Sequence, residues 1–198
     1  MDDFTRALLH PDLALLRDRL RARSIVDVDQ YEGSRRAAVA AVMRVVDEPE
    51  LLFIKRAEAE RDPWSGHIAF PGGRHEAVDR TLVDTAIRET HEELALTLRK
   101  SAVIGRLDDL APRNKALPPI IVRPFVAVVR PDVELVPSHE VAATFWVPLA
   151  ILRNPDTQSE HVMTVNGVRA RFPAYRVDEH LVWGMTERIV RQLLSLLD

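Results

Sequence analysis

The chain has 198 residues, of which 46% are hydrophobic and 29% are charged, proportions that are ordinary for a globular protein. Its formal net charge of −3 argues against a general nucleic-acid coat, which needs a basic surface. It contains no cysteine, and this excludes a disulfide scaffold, a thiolate zinc site and a cysteine nucleophile.

The N-terminal region predicts a helix. Apolar residues recur at helical spacing over residues 4–22, with a break expected near Pro11. Packing on the main domain is the favoured use of this apolar stripe, and a homodimer contact is the alternative. We therefore expect residues 1–35 to form a helical extension and residues 36–198 to form one domain.

The rest of the chain predicts strands with two helices. The strands are expected over residues 37–46, 50–55, 102–107, 120–129 and 144–147. Arg123 and Pro124 interrupt the fourth of them, so it should be bent or lie at a sheet edge. Asn166 and Gly167 predict a hairpin turn between two further short strands. With helices over residues 80–94 and 179–197, the order of elements predicts an α/β fold, a mixed sheet sandwiched between helices.

No apolar run approaches membrane-spanning length. The first residues include Asp2 and Asp3 and lack the basic and apolar regions of a signal peptide. We therefore expect no membrane association and a cytoplasmic location.

Three carboxylates occur within five residues, at Glu89, Glu92 and Glu93. At about 100° per residue they fall on one arc of a helix face, where like charges repel unless a cation lies between them. Just upstream, residues 70–74 read Phe-Pro-Gly-Gly-Arg, which predicts a tight turn whose backbone approaches a ligand closely. A glycine loop before such a helix suits a divalent metal together with phosphate oxygens, and a solvated acidic helix face is the ordinary alternative.

At these residues the chain resembles the Nudix hydrolases. Their signature runs from a Gly through an early Glu to Arg-Glu, an aliphatic residue, Glu-Glu, a late Gly and an aliphatic residue. Asp79 stands for the early Glu, Thr90 for the aliphatic residue and Ala95 for the late Gly, which should matter little if residue 95 is helical. The signature is otherwise offered by Gly73, Arg88, Glu89, Glu92, Glu93 and Leu96.

Other motifs resemble the coenzyme A diphosphatase branch of this family. That branch carries a Leu-Leu-x-x-Arg motif, a second Arg, a Gly, then Phe-Pro-Gly-Gly. Residues 51–57, Arg61, Gly66 and residues 70–73 correspond to these features, and residues 183–186 supply a closing Trp-Gly-x-Thr. The resemblance spans roughly residues 36 to 194.

The resemblance implies a Nudix fold and hydrolysis of a diphosphate linkage with Mg²⁺ or Mn²⁺. The expected substrate is coenzyme A or an acyl-CoA, cleaved to 3′,5′-ADP and (acyl-)4′-phosphopantetheine. ADP-ribose, NADH and other nucleoside diphosphate derivatives are alternatives. A non-catalytic nucleotide sensor is a third possibility, against which the intact glutamate set argues. A divalent cation suits the reaction because it neutralises the diphosphate and lowers the pKa of water.

The resemblance also assigns roles to residues. Glu89, Glu92, Glu93 and the Gly72 carbonyl are the expected metal ligands. Arg88 should orient these carboxylates, with a surface ion pair of little value as the alternative.

A further carboxylate is expected on a loop across the pocket. Glu140, ahead of a late strand, is the candidate for general base or additional ligand, and a solvated loop residue is the alternative. His139 is expected to be a bystander.

Substrate contacts are expected near the glycine loop. Arginine suits a bidentate grip on phosphate, and Arg56 and Arg61 match the branch motif as readers of a 3′-phosphate. Trp64 and Trp183 could stack on adenine or line an acyl-chain channel, although packing in a core is the commoner role of such residues. The full set expected to contact substrate is Arg56, Arg61, Gly72, Gly73 and Arg74.

Overall fold

A computed structural model describes residues 6–60, 62–112, 117–165 and 167–198. Two residues singled out by the sequence, Arg61 and Asn166, lie outside the described residues, as does the start of the predicted N-terminal helix. No helix in the described part of the chain is long and apolar enough to cross a membrane.

The helices are α1 (Pro11–Ala22), α2 (Leu82–Leu94), α3 (Leu149–Arg153) and α4 (Gly184–Ser195). The strands are β1 (Arg35–Val45), β2 (Pro49–Arg56), β3 (Ile68–Ala69), β4 (Gly72–Arg74), β5 (Val103–Arg106), β6 (Ile120–Val128), β7 (Val141–Pro148), β8 (Gln158–Val165), β9 (Val168–Val177) and β10 (His180–Trp183). Single 3₁₀ turns occur at Lys100–Ala102 and Pro155–Thr157.

Seven of these strands form one mixed sheet. Its main path is β3-β2-β1-β6-β5, with β4 paired to β1 and β7 paired to β2. Strands β1 and β6 are parallel, whereas β2 and β4 are antiparallel to β1. A second, antiparallel sheet has the order β10-β9-β8. The predicted mixed α/β fold is therefore confirmed.

Helices cover both faces of the large sheet. Successive side chains of a strand point to opposite faces, and β1 follows this rule. Ala40 lies in the apolar cluster that contains Leu94 of α2, whereas Ala41 lies in the cluster that contains Leu16 of α1 and Val190 of α4. The sheet is thus sandwiched, with the glutamate-bearing helix alone on its side among these three helices.

The apolar stripe of the N-terminal region packs on this sheet. Leu13, Leu16 and Leu20 of α1 are buried in the larger core cluster. Helix α1 begins at Pro11, whose fixed φ suits a first helical position. These three leucines therefore pack within the chain, as the favoured prediction states.

The strand with Pro124 was expected to be bent or to lie at a sheet edge. The edge position is wrong, because β6 pairs with β1 on one side and β5 on the other. The Pro124 carbonyl accepts from the Leu107 N–H (2.9 Å), so its missing N–H also faces the β5 side. There the chain leaves the ladder, because the next amide, that of Asp108, donates to Gln192 Oε1 (3.0 Å). Pro124 therefore lies opposite Leu107, one residue beyond the end of β5.

The predicted closing helix is wrong over its first residues. Residues 180–183 form β10, in which Val182 pairs with Tyr175 of β9 and is fully buried. Gly184, with φ of +69°, then turns the chain into α4. The predicted hairpin is confirmed by the pairing of β8 with β9, which closes at Val165 and Val168.

Ala95 is not helical, so the condition under which its replacement of glycine would matter little is not met. It caps the C-terminus of α2 in the left-handed region, with φ of 53° and ψ of 13°. Glycine favours this position because it has no Cβ to crowd the neighbouring carbonyl. The alanine therefore carries a conformational cost at the point where the family signature has glycine.

Candidate active site

The glycine segment before α2 is a strand rather than the predicted tight turn. Strand β4 pairs with the first half of β1, with Gly72 opposite Val39 and Gly73 opposite Ala38. Gly72 has φ of +152°, and a Cβ on it would overlap the Ala38 carbonyl oxygen. A side chain is therefore excluded by the close approach of the two strands.

The outer edge of β4 faces α2. The Pro71 carbonyl accepts from the Ala40 N–H (2.8 Å), so by alternation the peptide groups of Gly72 point away from β1. The Gly72 N–H donates to Glu93 Oε2 (2.9 Å). Its carbonyl, on the same edge, is directed towards the glutamate-bearing helix.

Gly73 makes room for a carboxylate. A Cβ on this residue would overlap the carboxyl group of Glu89. The Glu89 carboxylate therefore lies directly against the strand. The Arg74 side chain has a different position, because Arg74 lies opposite Ala37, whose cluster contains Trp64 on the other sheet face. Gly73 is thus at the carboxylates, and the Arg74 side chain is turned away from them.

Arg88 is the centre of the polar network on α2. Its Nη1 donates to Glu89 Oε1 (3.0 Å) and Glu92 Oε2 (2.9 Å), and its Nη2 donates to the Arg74 carbonyl (3.0 Å). Its Nε and Nη2 grip the two oxygens of Asp79, each at 2.9 Å. The Asp79 carboxylate, first among these partners, raises the pKa of Arg88. These contacts suit an arginine that holds the neighbouring carboxylates in position.

Asp79 was not among the candidates from the sequence. Its side chain is only 3% exposed, and it also accepts from Thr85 Oγ1 and the Glu76 N–H, both at 3.0 Å. Hydrogen bonds from Arg88 hold the pKa of Asp79 well below its usual range, although burial opposes this. Its place in the signature, where the family has Glu, was the available signal.

Glu93 is a buried carboxylate with few neighbouring groups that offset its charge. Its side chain is 4% exposed, and the nearest cation is Arg56, with 3.7 Å between Nη1 and Oε1. Burial raises the pKa of Glu93 to about 7, and the neighbouring Glu89 and Glu140 add to the effect, while the Gly72 N–H and Arg56 oppose it. Burial likewise raises the pKa of Glu89.

Glu92 does not join the other two glutamates. Its side chain is 56% exposed and its carboxylate is held by Arg88. Within the described ranges, no three His, Cys, Asp or Glu side chains are grouped so that one ion could contact all of them. The structure therefore brings Glu89 and Glu93 together and leaves Glu92 beside the arginine.

A loop across the pocket is anchored to the end of α2. The Ser138 N–H donates to the Glu93 carbonyl (2.8 Å), and the Val136 N–H donates to the Leu94 carbonyl (2.9 Å). The last carbonyls of a helix have no partner within it, so this loop satisfies them.

The anchored loop brings Glu140 to the site. The Glu140 carbonyl accepts from the Ala57 N–H (2.8 Å), which ties it to the segment after β2. Its exposed carboxylate is near enough to raise the pKa of both Glu89 and Glu93. Glu140 is therefore exposed to solvent and close enough to Glu89 and Glu93 to affect both carboxylates.

Arg56 lies nearer the glutamates than the sequence suggested. Its Nη2 and Nε both donate to Asp62 Oδ2, at 2.8 and 3.2 Å, and its Nη1 faces Glu93. Asp62 also accepts from the Trp64 N–H (3.0 Å), which folds the loop between β2 and β3. Arg56 is therefore positioned to meet an anion bound at the carboxylates.

This donor set suits a hard divalent cation. Two carboxylates with raised pKa values lie against β4, Glu93 at the Gly72 N–H and Glu89 at Gly73. The Gly72 carbonyl lies on the same outer edge of the strand. A cation there would offset their repulsion, and oxygen ligands are those preferred by Mg²⁺ and Mn²⁺. With Arg56 beside it, such a centre can bind and polarise a diphosphate.

Comparisons with known proteins agree with this chemistry. The NUDIX domain family matches residues 34–164, more than half of the chain. An uncharacterized Nudix hydrolase, NudL of Photorhabdus laumondii, is 33% identical over 165 residues, covering 82% of this chain and 84% of the relative. The mitochondrial coenzyme A diphosphatase NUDT8 of Homo sapiens is 33% identical over 195 residues, covering 94% and 81%.

Solved structures show the same fold. A MutT/nudix family protein from Enterococcus faecalis matches with a TM-score of 0.60 at 15% identity, covering 98% of this chain and 73% of that one. The NUDIX domain of Shewanella oneidensis NrtR, crystallised with ADP ribose, matches with a TM-score of 0.50 at 19% identity, covering 63% and 80%.

Proposed function

The chain belongs to the Nudix family of diphosphate hydrolases, and from that premise we propose that it cleaves coenzyme A and its thioesters. The products would be 3′,5′-ADP and 4′-phosphopantetheine or its acyl form. The human relative, named as a coenzyme A diphosphatase, supports this substrate because the similarity extends over nearly the whole chain.

The observation that carries the proposal is the position of Arg56. This arginine belongs to the motif that resembles the coenzyme A branch, and it lies 3.7 Å from the Glu93 carboxylate. The branch motif and the family signature therefore meet at one site. A guanidinium beside the metal carboxylates is suited to grip the diphosphate itself, which we now favour over a contact with the 3′-phosphate.

Nudix enzymes require divalent cations, generally Mg²⁺ or Mn²⁺. We propose that Glu89, Glu93 and the Gly72 carbonyl hold the ion here. Glu92 would join them only by releasing Arg88, or would act through water. The bound cation supplies neutralisation of the diphosphate and activation of water.

The remaining residues act on substrate and water. Glu140 accepts the proton of the attacking water, since its carboxylate faces the glutamates from the opposite loop. Arg56 binds a phosphate oxygen and offsets the charge that develops on it. Arg88 does not contact substrate, and it keeps Glu89 in place while Asp79 keeps Arg88 in place.

A substrate panel tests the proposal. Coenzyme A, dephospho-coenzyme A, ADP-ribose, NADH and diadenosine polyphosphates would be compared with Mg²⁺ or Mn²⁺, with products identified by mass. With Arg56 assigned to the diphosphate, Arg61 of the branch motif is the candidate that reads the 3′-phosphate. A charge-assisted contact from it should give coenzyme A an advantage in kcat/KM of about tenfold to a hundredfold over dephospho-coenzyme A. Arg56→Ala should lower the rate on every member, whereas Arg44→Ala, which breaks the ion pair with Glu50, should not. Faster cleavage of ADP-ribose than of coenzyme A contradicts the proposed substrate.

A further inference from the structure

Strand β2 and the residue just before β3 connect the glutamates to a group of aromatic side chains. Strands β2 and β3 are antiparallel, with Ile54 opposite Ala69, and the Arg56 N–H donates to the His67 carbonyl (3.0 Å). Arg56 and His67 are therefore cross-strand neighbours whose side chains share one face of the sheet. Since the Arg56 guanidinium reaches Glu93, the His67 side chain leaves the sheet on the face that carries the active site.

The His67 ring belongs to a group of four aromatic rings that is centred on Trp183. The His67 ring lies 4.8 Å from that of Trp183, centroid to centroid. The Trp183 ring in turn lies 4.1 Å from His161 and 5.9 Å from Phe172. All four side chains are half-buried, and we call this group, His67, His161, Phe172 and Trp183, the aromatic shelf.

The aromatic shelf is not part of the main hydrophobic core. Strands β8, β9 and β10 supply three of its members, and the opposite face of the same small sheet closes the core through Tyr175, Val177 and Val182. Trp183 alternates with Val182 and His161 lies across from Phe172, so the shelf occupies the other face. Folding therefore buries one face and leaves four rings partly open beside the site.

We propose that the aromatic shelf binds the nucleobase of the substrate by ring stacking. The inference rests on the proposed diphosphate hydrolysis, because the bound diphosphate sets where the rest of the substrate can lie. When Arg56 binds the diphosphate of a nucleoside diphosphate, the base lies one ribose away. His67, the cross-strand neighbour of Arg56, lies on that side. Ring faces suit a flat base, since every base presents a π surface to an aromatic side chain. An acyl chain would be served better by an enclosed aliphatic groove.

Binding of two small probes tests the shelf without any turnover. Adenosine 5′-monophosphate and ribose 5-phosphate differ by the base alone, and their affinities would be measured by calorimetry on the full chain. Stacking of one base predicts that the first binds about fivefold to a hundredfold more tightly. Trp183→Leu should bring this ratio towards one while the affinity for ribose 5-phosphate stays the same. His161→Ala, in the hairpin strand β8, should also reduce the ratio, which covers the case in which Trp183→Leu does not fold.

Two matched controls share the same change. Trp146→Leu removes a tryptophan that stacks under Arg44 (4.2 Å), and Trp64→Leu removes one from the other sheet face. Both should keep the ratio of the parent protein. A ratio near one in the parent, or a ratio abolished by Trp64→Leu and kept by Trp183→Leu, overturns the proposal.

The same variants separate this inference from the proposed function. A base-dependent ratio that Trp183→Leu removes supports the shelf even if no diphosphate is hydrolysed. If coenzyme A is hydrolysed but Trp183→Leu and His161→Ala leave the ratio unchanged, the shelf is wrong and the proposed hydrolysis stands. A loss of preference for acyl-CoA over coenzyme A in Trp183→Leu, with the base ratio intact, would assign the shelf to the acyl chain and would also overturn the proposal.

Discussion

Asp79→Asn should show whether the active site depends on a carboxylate that never contacts substrate. Asp79 accepts two hydrogen bonds from Arg88, each at 2.9 Å, and is almost completely buried. The asparagine keeps the shape but removes the charge. Its amide nitrogen donates and cannot accept, so the two-oxygen contact with the guanidinium is lost. Arg88 then loses its most buried partner and, with it, the position from which it holds Glu89.

The expected cost follows from burial. Removing one partner of a fully buried pair costs about 3–5 kcal/mol. Arg88 is 19% exposed and retains Glu89, Glu92 and a carbonyl as partners, so we expect about 2–3 kcal/mol after allowing for solvent screening. The folded pKa of Asp79 is lowered, so its contribution is present above the ordinary aspartate pKa and is lost as pH falls through the folded value.

Urea unfolding at neutral pH and again below about pH 3.5, under the ordinary aspartate pKa, measures both effects. The difference between the parent and Asp79→Asn should be largest at neutral pH and smaller in acid. Glu92→Gln is the matched control, because it removes another Arg88 partner that is 56% exposed, and it should cost no more than about 1 kcal/mol. Equal costs for the two variants, or a difference that acid does not reduce, would refute the reasoning. Turnover should also fall in Asp79→Asn, because Glu89 loses its support.

Three further changes have defined outcomes. Glu93→Gln should lower turnover by at least about a thousandfold while the protein remains folded, because it removes a proposed metal ligand but also relieves a buried charge; near-full activity in a turnover assay would disprove that role. Glu140→Gln should reduce kcat far more than it raises KM, and an unchanged kcat would return Glu140 to the solvated-loop alternative and leave His139, or another acid such as Glu134, as the next candidate. Ala95→Gly should raise the stability by about 1 kcal/mol, or Tm by about 2–4 °C, because it relieves the left-handed cap, whereas His91→Gly within α2 should lower both in the same thermal unfolding experiment.

The helix and its carboxylates were predictable because their spacing is local. Glu89 and Glu93 are four residues apart, so any α-helix brings them to one face. The outcome for Glu92 was not predictable in this way. Its carboxylate could turn towards the other two or towards Arg88, and the choice depends on where Asp79 and the Arg74 carbonyl hold that arginine.

The structure of the glycine segment could not be predicted, for a different reason. Two glycines in a row are compatible with a turn or with a close approach of backbone to another group, and the turn was predicted. In the fold, Gly72 lies against β1 and Gly73 lies against Glu89. Both contacts are with residues distant in sequence, so no local pattern could distinguish a turn from a strand.

The C-terminal region was misread for a related reason. Residues 179–197 carry apolar positions that fit a helix, but Val182 is taken by the core through its pairing with Tyr175. Strand pairing overrides local preference when it buries an apolar side chain completely. The same pairing turns Trp183 to the opposite face of the small sheet, so an error of a few residues in one boundary also concealed the proposed aromatic shelf.

Glu140 could be no more than a candidate because a loop has no period from which its direction can be read. Its position is set by the end of α2, whose last carbonyls need partners. Those of Glu93 and Leu94 find them in the N–H groups of Ser138 and Val136, at 2.8 and 2.9 Å. The hydrogen bonds that satisfy the end of α2 therefore also fix the loop, and they keep Glu140, the proposed base, near the carboxylates of the same helix. Loss of this anchor would separate the proposed base from the proposed metal site without changing any residue of either.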